Sequence, residues 1–188
     1  MADDRRHIAL IGFRGAGKTS VGRLLAAELG RPFIDTDESV AQSTGLTIAR
    51  IFASEGETEF RRHEAQAVAQ AVSSPPAVIA VGGGAVENSA NVALLRGYAR
   101  VVWLEADVSV LRRRILADPQ TNRDRPALEG RSALDEIESM LARRVPLYRA
   151  AAETIIDVSA MHPEEIADEL QRLLTVQETQ GTEPPNVI

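Results

Sequence analysis

The chain has 188 residues, 44% hydrophobic and 26% charged, which is enough for one domain with a full core. Its net charge of −6 and its 4% aromatic content argue against a general nucleic-acid binder. With no cysteine, disulfides, thiolate catalysis and cysteine-type zinc sites are excluded. No leader-like segment and no apolar run of about 18 residues is present, so the expectation is a cytoplasmic protein with no membrane partner.

In chain order, Ile8-Ala9-Leu10-Ile11 reads as a short buried strand that ends at Gly12. It runs into Gly12-Phe13-Arg14-Gly15-Ala16-Gly17-Lys18-Thr19, the pattern G-x-x-x-x-G-K-T, and a helical pattern follows from Thr19 to Leu29. Such a loop binds nucleotide phosphate for physical reasons. Glycines let successive backbone N–H groups turn inward around an anion, and the helix presents its positive end to the same point. The expected nucleotide contacts are Gly15, Ala16, Gly17, Lys18, Thr19 and Ser20, with the Thr19 hydroxyl available to Mg²⁺ as a hard oxygen ligand. Lys18 is the single lysine of the chain among 21 basic residues, in the one slot that favours a compact ammonium over a broad guanidinium.

Pro32-Phe33-Ile34 is read as the second strand, ending at Asp35-Thr36-Asp37. Residues i and i+2 of an extended chain share a face, so Asp35 and Asp37 are expected to point into one crevice. One would serve a metal through water, the other a substrate hydroxyl. Helical patterns run from there to about Ser43, from Thr47, and from about Glu57 to Val72. Ala77–Val81 is the clearest buried strand and leads into Gly82-Gly83-Gly84, read as a close backbone approach to a ligand. A helix over Asn88–Arg96, a strand over Arg100–Leu104 and a helix over Val108–Leu116 follow. A polar segment around Arg125-Pro126 reads as a mobile lid, a recurring device for carrying an arginine over a phosphoryl transfer. Ser132 is expected to cap a helix from about Ala133 to Tyr148. Then come a strand over Glu153–Asp157 and a last helix from Pro163 to about Leu174. Residues 177–188 are expected to form a disordered tail. Alternating strands and helices imply an α/β fold with a parallel sheet, whose ligands bind at the carboxyl ends of the strands.

Taken locally, Arg61, Arg144 and the run Arg112-Arg113-Arg114 are ordinary solvated arginines. His7, His63 and His162 have no metal-ligand spacing, and no role is assigned to them. An Asn-Lys-x-Asp guanine motif cannot be present, because Lys18 is the only lysine. A kinase for gluconate or a nucleotide is the nearest alternative, although no feature for a base-binding acceptor pocket is found.

Several motifs in order resemble those of the shikimate kinase family, in the nucleoside-monophosphate-kinase-like group of small P-loop kinases. They are Gly12–Thr19, Asp35-Thr36-Asp37, Ile48-x-x-Ile51-Phe52-x-x-x-Gly56-Glu57-x-x-Phe60-Arg61, Gly82-Gly83-Gly84, Arg125-Pro126 and Arg143-Arg144-Val145-Pro146-Leu147-Tyr148. The resemblance covers roughly Ile8–Leu174. It implies a P-loop NTPase fold with a three-layer α/β/α architecture and a five-stranded parallel sheet in the order 2-3-1-4-5. It also implies one kinase domain over residues 1–176, with a helical substrate-binding segment around 37–65 and a lid around 116–130. The implied reaction is transfer of the ATP γ-phosphate to the 3-hydroxyl of shikimate by a monomer that uses Mg²⁺. Carried over residue by residue, Lys18, Asp37 and Arg125 are catalytic, and Thr19 and Asp35 serve the metal. Arg114 and Arg125 add to the nucleotide contacts, and Asp37, Arg61, Gly82, Gly83, Gly84 and Arg144 hold the substrate. Two departures stand out. Ala127 follows Arg125-Pro126 where the family more often has leucine, and Asp157–Pro163, at the place of the family's adenine loop, lacks a basic residue before the proline.

Overall fold

The computed structural model describes residues 6–117 and 133–180. The strands are β1 His7–Ile11, β2 Phe33–Asp35, β3 Val78–Ala80, β4 Ala99–Glu105 and β5 Thr154–Asp157. They form one sheet in the order β2-β3-β1-β4-β5, and all four neighbouring pairs are parallel. The helices among the described residues are α1 Lys18–Leu29, α2 Thr36–Thr44, α3 Ile48–Ser54, α4 Gly56–Val72, α5 Ser89–Tyr98, α6 Val108–Ala117, α7 Ala133–Ala151 and α8 Pro163–Gln180. This is the expected α/β fold of the P-loop NTPases with the expected strand order. No described helix is long and apolar enough to cross a membrane.

The centre of the sheet follows from composition. A parallel strand covered on both faces must be apolar along its length rather than alternating. All of β1 is buried, and its Ala9 pairs with Ile79 on one side and Val101 on the other. His7 is the one polar residue of that strand, and it is 4% exposed. Its ring accepts a hydrogen bond from Ala77 N at Nδ1 (3.1 Å), which leaves the Nε2 proton facing Val72 O at 3.2 Å. The histidine to which the sequence assigned no role therefore fastens the end of α4 to the start of β3.

A second, smaller core lies apart from the sheet. Val40, Ile48, Ile51, Phe60 and Ala67 form it, with Leu46 and Phe52 packed against them. The Phe52 and Phe60 rings sit 4.6 Å apart between centroids. These residues come from α2, α3 and α4, so the helical segment expected over 37–65 has an apolar centre of its own. It is joined to the main core through α4, whose Val68, Ala71 and Val72 belong to the larger cluster.

Two local readings are corrected. Asp37 is not in an extended strand. The chain turns helical at Thr36, and Asp35 caps α2 by accepting from Asp37 N at 3.0 Å and Glu38 N at 3.4 Å. A side-chain cap stabilises a helix start by about 1 kcal/mol, which favours the turn here over continued strand. The last helix runs on to Gln180 instead of ending near Leu174, so residues 177–180 of the expected tail are helical.

The His7 bridge makes a prediction. Replacing His7 with Ala strips two buried backbone groups of their partner and should cost about 3 kcal/mol. Thermal unfolding should then fall by roughly 6–12 °C for a chain of this size. A melting curve within 2 °C of the unaltered protein, a limit chosen as about the effect of only 0.5–1 kcal/mol, would contradict this account.

Candidate active site

The loop between β1 and α1 has the conformation its glycines permit. Gly15 and Gly17 adopt φ of 81° and 93°, in the left-handed region where side chains are strained. Gly17 caps α1 with no side-chain hydrogen bond, so the helix offers its first N–H groups to the cleft. Lys18 Nζ donates to Gly12 O at 2.8 Å and Phe13 O at 3.0 Å, which holds the ammonium across the loop. A cleft of about 740 Å³ opens there, lined by residues 14–21, Asp35, Asp37, Arg113, Arg114 and the 159–163 loop, among others. That volume suits a nucleotide.

The two residues expected to serve a metal lie together. Thr19 Oγ1 donates to Asp35 Oδ2 at 2.8 Å, which sets a hydroxyl and a carboxylate side by side at the start of α1. Hard oxygen donors of this kind fit Mg²⁺ bound chiefly by phosphate and water. Both Asp35 and Asp37 line the cleft, as expected, although a helix start rather than strand alternation puts them there.

Arg114 reaches across the far end of the cleft. Its Nη1 lies 3.4 Å from Gly15 O, and its Nη2 donates to Val158 O at 3.2 Å and Met161 O at 3.5 Å. The positive charge missing from the 157–163 segment thus arrives from α6. The segment is shaped from within as well, since Ser159 donates to Asp157 Oδ1 from its hydroxyl (2.6 Å) and its backbone N–H (2.9 Å). Those two bonds hold the Asp157 carboxyl below the ordinary carboxylate range.

The glycine turn faces the other way. A Cβ on Gly82 would lie 2.7 Å from both Asp37 Oδ1 and Glu64 Oε1, and one on Gly84 would overlap the Arg61 guanidinium. Gly82 N donates to the buried Thr36 hydroxyl at 2.8 Å, which binds the end of β3 to the start of α2. The first thing the glycines admit is therefore the protein's own charged side chains. Arg61, from α4, pairs with Glu64 (2.7 Å), Glu87 (3.1 Å) and Glu57 (3.2 Å). Burial alone would lower the affinity of this guanidinium for its proton, but Glu64, Glu87 and Glu57 together hold it above the ordinary value.

Arg144 comes from α7 and is 5% exposed. Its Nη2 donates to Glu87 Oε2 at 2.9 Å, and its guanidinium lies 5.8 Å from the Phe13 ring centroid. Arg144 and Tyr148 share a helix face at i and i+4. Tyr148, fully buried, donates to Gly83 O at 2.5 Å and stacks on Trp103 at 5.7 Å. One face of α7 thereby fixes both an arginine and the glycine turn.

The structure accordingly brings together Gly15–Ser20, Asp35, Asp37 and Arg114 at the cleft, and Arg61, Arg144 and Gly82–Gly84 beside it. Arg125 lies outside the described residues, as does the Ser132 cap. Sequence reasoning missed Glu64 and Glu87. Glu64 follows Arg61 at i+3, a helical pairing distance that could have flagged it. Glu87 is linked to both arginines only through the tertiary fold.

A phosphate loop with a hydroxyl and a carboxylate paired at its helix, and two arginines held by carboxylates beside a glycine turn, fits an ATP-dependent P-loop kinase of small molecules. The comparisons agree. The family model described as shikimate kinase matches residues 14–175. Shikimate kinase 2 of Yersinia pestis is 40% identical over 168 residues, spanning 89% of this chain and 95% of the relative. Shikimate kinase of Rhodopirellula baltica is 39% identical over 165 residues, 88% of each chain. The structure of shikimate kinase from Acinetobacter baumannii in complex with shikimate superposes with a TM-score of 0.87 at 33% identity, covering 93% of this chain and 96% of that one. The chain belongs to the shikimate kinase family.

Gly82 offers a direct test of the geometry. Glu64 is 1% exposed, so an added methyl group would have to shift a buried carboxylate as well as Asp37. Gly82→Ala should reduce kinase kcat/KM by about 100-fold, the scale of a 1 Å misplacement of catalytic groups. A Gly82→Ala variant that folds and turns over normally would show that the close approach is unnecessary.

Proposed function

We propose that the protein transfers the γ-phosphate of ATP to the 3-hydroxyl of shikimate, giving shikimate 3-phosphate in the chorismate and aromatic amino acid pathway. The observation that carries the reading is the convergence of Arg61 and Arg144 on a single carboxylate oxygen, at 3.1 and 2.9 Å, beside the glycine turn. Two guanidinium groups aimed at one point are suited to a small carboxylic acid. Asp37 lines the cleft of the phosphate loop and approaches Gly82 at the head of the glycine turn, where a carboxylate can bond a ring hydroxyl.

In this reading Gly15–Ser20 cradle the phosphates, Lys18 spans the β- and γ-phosphates, and Arg114 lies beside the base. Arg61, Arg144 and the Gly82–Gly84 turn fix the substrate carboxylate, and Asp37 binds the ring hydroxyls and orients or deprotonates the attacking one. Thr19 would hold Mg²⁺ directly and Asp35 through water; the ion, when bound with ATP, offsets phosphate charge. Arg125, in the 116–130 segment, is the lid arginine for the transferred phosphate. The protein offers little covalent chemistry, so rate comes from positioning and fixed charge. Residues 1–176 act as a single kinase domain, with 37–65 as its substrate-binding part, in a cytoplasmic monomer.

A coupled ADP-release assay with Mg-ATP should show turnover that depends on shikimate and not on gluconate or nucleoside monophosphates. Lys18→Ala should abolish it. Lys18→Arg should abolish it too, because a guanidinium cannot replace an ammonium held between two loop carbonyls. Arg144→Ala should raise the shikimate KM by about 100-fold, the usual effect of removing one partner from a buried charge pair. A normal KM in that variant would remove Arg144 from the substrate site.

A further inference from the structure

Glu87 already occupies the point where the proposed substrate carboxylate should sit. It lies in the short 3₁₀ turn Ala85–Glu87 that follows the three glycines. Its Oε2 is shared between Arg144 Nη2 at 2.9 Å and Arg61 Nη2 at 3.1 Å. We infer that Glu87 is a built-in carboxylate stand-in: it neutralises the two arginines in the empty site, and the substrate carboxylate binds by displacing it. The inference rests on the shikimate kinase reading above.

The charge balance supports an exchange over simple addition. Two guanidinium groups face three carboxylates here, those of Glu57, Glu64 and Glu87. A fourth carboxylate entering beside them would meet net negative charge. The three acids differ in their freedom to leave. The Glu64 side chain is 1% exposed and sealed in against Gly82. Glu57 is 66% exposed, so water screens its pairing with Arg61, and it does not reach Arg144. Glu87 is 28% exposed, with a route to solvent, and among the described residues it is the one carboxylate paired with Arg144. Its withdrawal and the arrival of a substrate carboxylate are therefore a like-for-like replacement on Arg144.

The arrangement also explains how Arg144 can wait in an empty site. Its side chain is only 7% exposed, and Nε is buried with no hydrogen-bond partner among the described residues. A guanidinium in that position without a counter-ion is strongly unfavourable, so a resident carboxylate keeps the empty site stable. The cost falls on affinity. When the competent state is a minor one, apparent affinity drops by its fractional population. The benefit is selectivity, because a neutral analogue that displaced Glu87 would leave Arg144 uncompensated.

The test compares the unaltered protein with Glu87→Gln, using shikimate and its methyl ester as phosphate acceptors. The variant should have a shikimate KM about 3–10-fold lower, as expected when a competing state populated at roughly 70–90% is removed. Its KM for the ester should not fall. Without ATP, the variant should melt lower than the unaltered protein but gain more from saturating shikimate. A shikimate KM that is unchanged or raised overturns the inference, as does a parallel fall for the ester, which would mean general loosening. If the Gln variant does not fold, Glu87→Asp, which withdraws the charge by one methylene, decides it: a lowered shikimate KM supports the exchange, and an unchanged or raised one overturns it. An unaltered protein that ignores shikimate altogether would overturn the functional reading itself, an outcome distinct from normal turnover with no effect at position 87.

Discussion

The contact on which both halves of the site depend is the approach of Asp37 and Glu64 to the bare Cα of Gly82. A methyl group there would sit 2.7 Å from an oxygen of each. Asp37 belongs to the first turn after β2, Glu64 to the long helix α4, and Gly82 to the end of β3. Three parts of the fold thus meet where an added side chain would have to displace two carboxylates. The buried bond from Gly82 N to Thr36 Oγ1 keeps them in register. Through Asp37 the contact reaches the phosphate cleft, and through Glu64 it reaches Arg61.

Electrostatics then divides the work between two kinds of cation. On the nucleotide side the field comes largely from backbone N–H groups at the start of α1, with one lysine added. Lys18 fits there because its ammonium can bond two loop carbonyls, at 2.8 and 3.0 Å, in a confined space. On the proposed acceptor side the cations are arginines from α4 and α7, held by carboxylates. Rigid framing comes from α7, which places Arg144 and the Tyr148 bond to Gly83 on one face. Arg61 comes from the helical segment that carries a small core of its own.

Much of this was legible in the chain because it is local. Ile8–Ile11, Ala77–Val81 and Arg100–Leu104 read as buried strands from composition alone, and the phosphate loop followed from its spacing. Helix ends were less so. The tail looked like a breaker-rich segment from Gln177, yet no glycine or proline stands between Gln177 and Gly181, and the helix continues to Gln180. Asp35 and Asp37 were assigned correctly to one crevice on the wrong geometry, because the capping strength of Asp35 was set against strand alternation and won. Arg61 and Arg144 looked like surface arginines, since nothing local signals that helices α4 and α7 converge. Only the motif resemblance raised them above that background. Glu87 was invisible for the same reason, being paired with residues 26 and 57 positions away.

The central claim is that one point, between Arg61, Arg144 and the glycine turn, receives the acceptor's carboxylate while Asp37 holds its hydroxyls toward the phosphate loop. A crystal structure with Mg-ADP and shikimate tests it most directly. The account predicts the shikimate carboxylate within hydrogen-bond distance of both guanidinium groups, with a ring hydroxyl on Asp37 facing Lys18. A carboxylate bound elsewhere, with Arg144 still paired to Glu87, would contradict it.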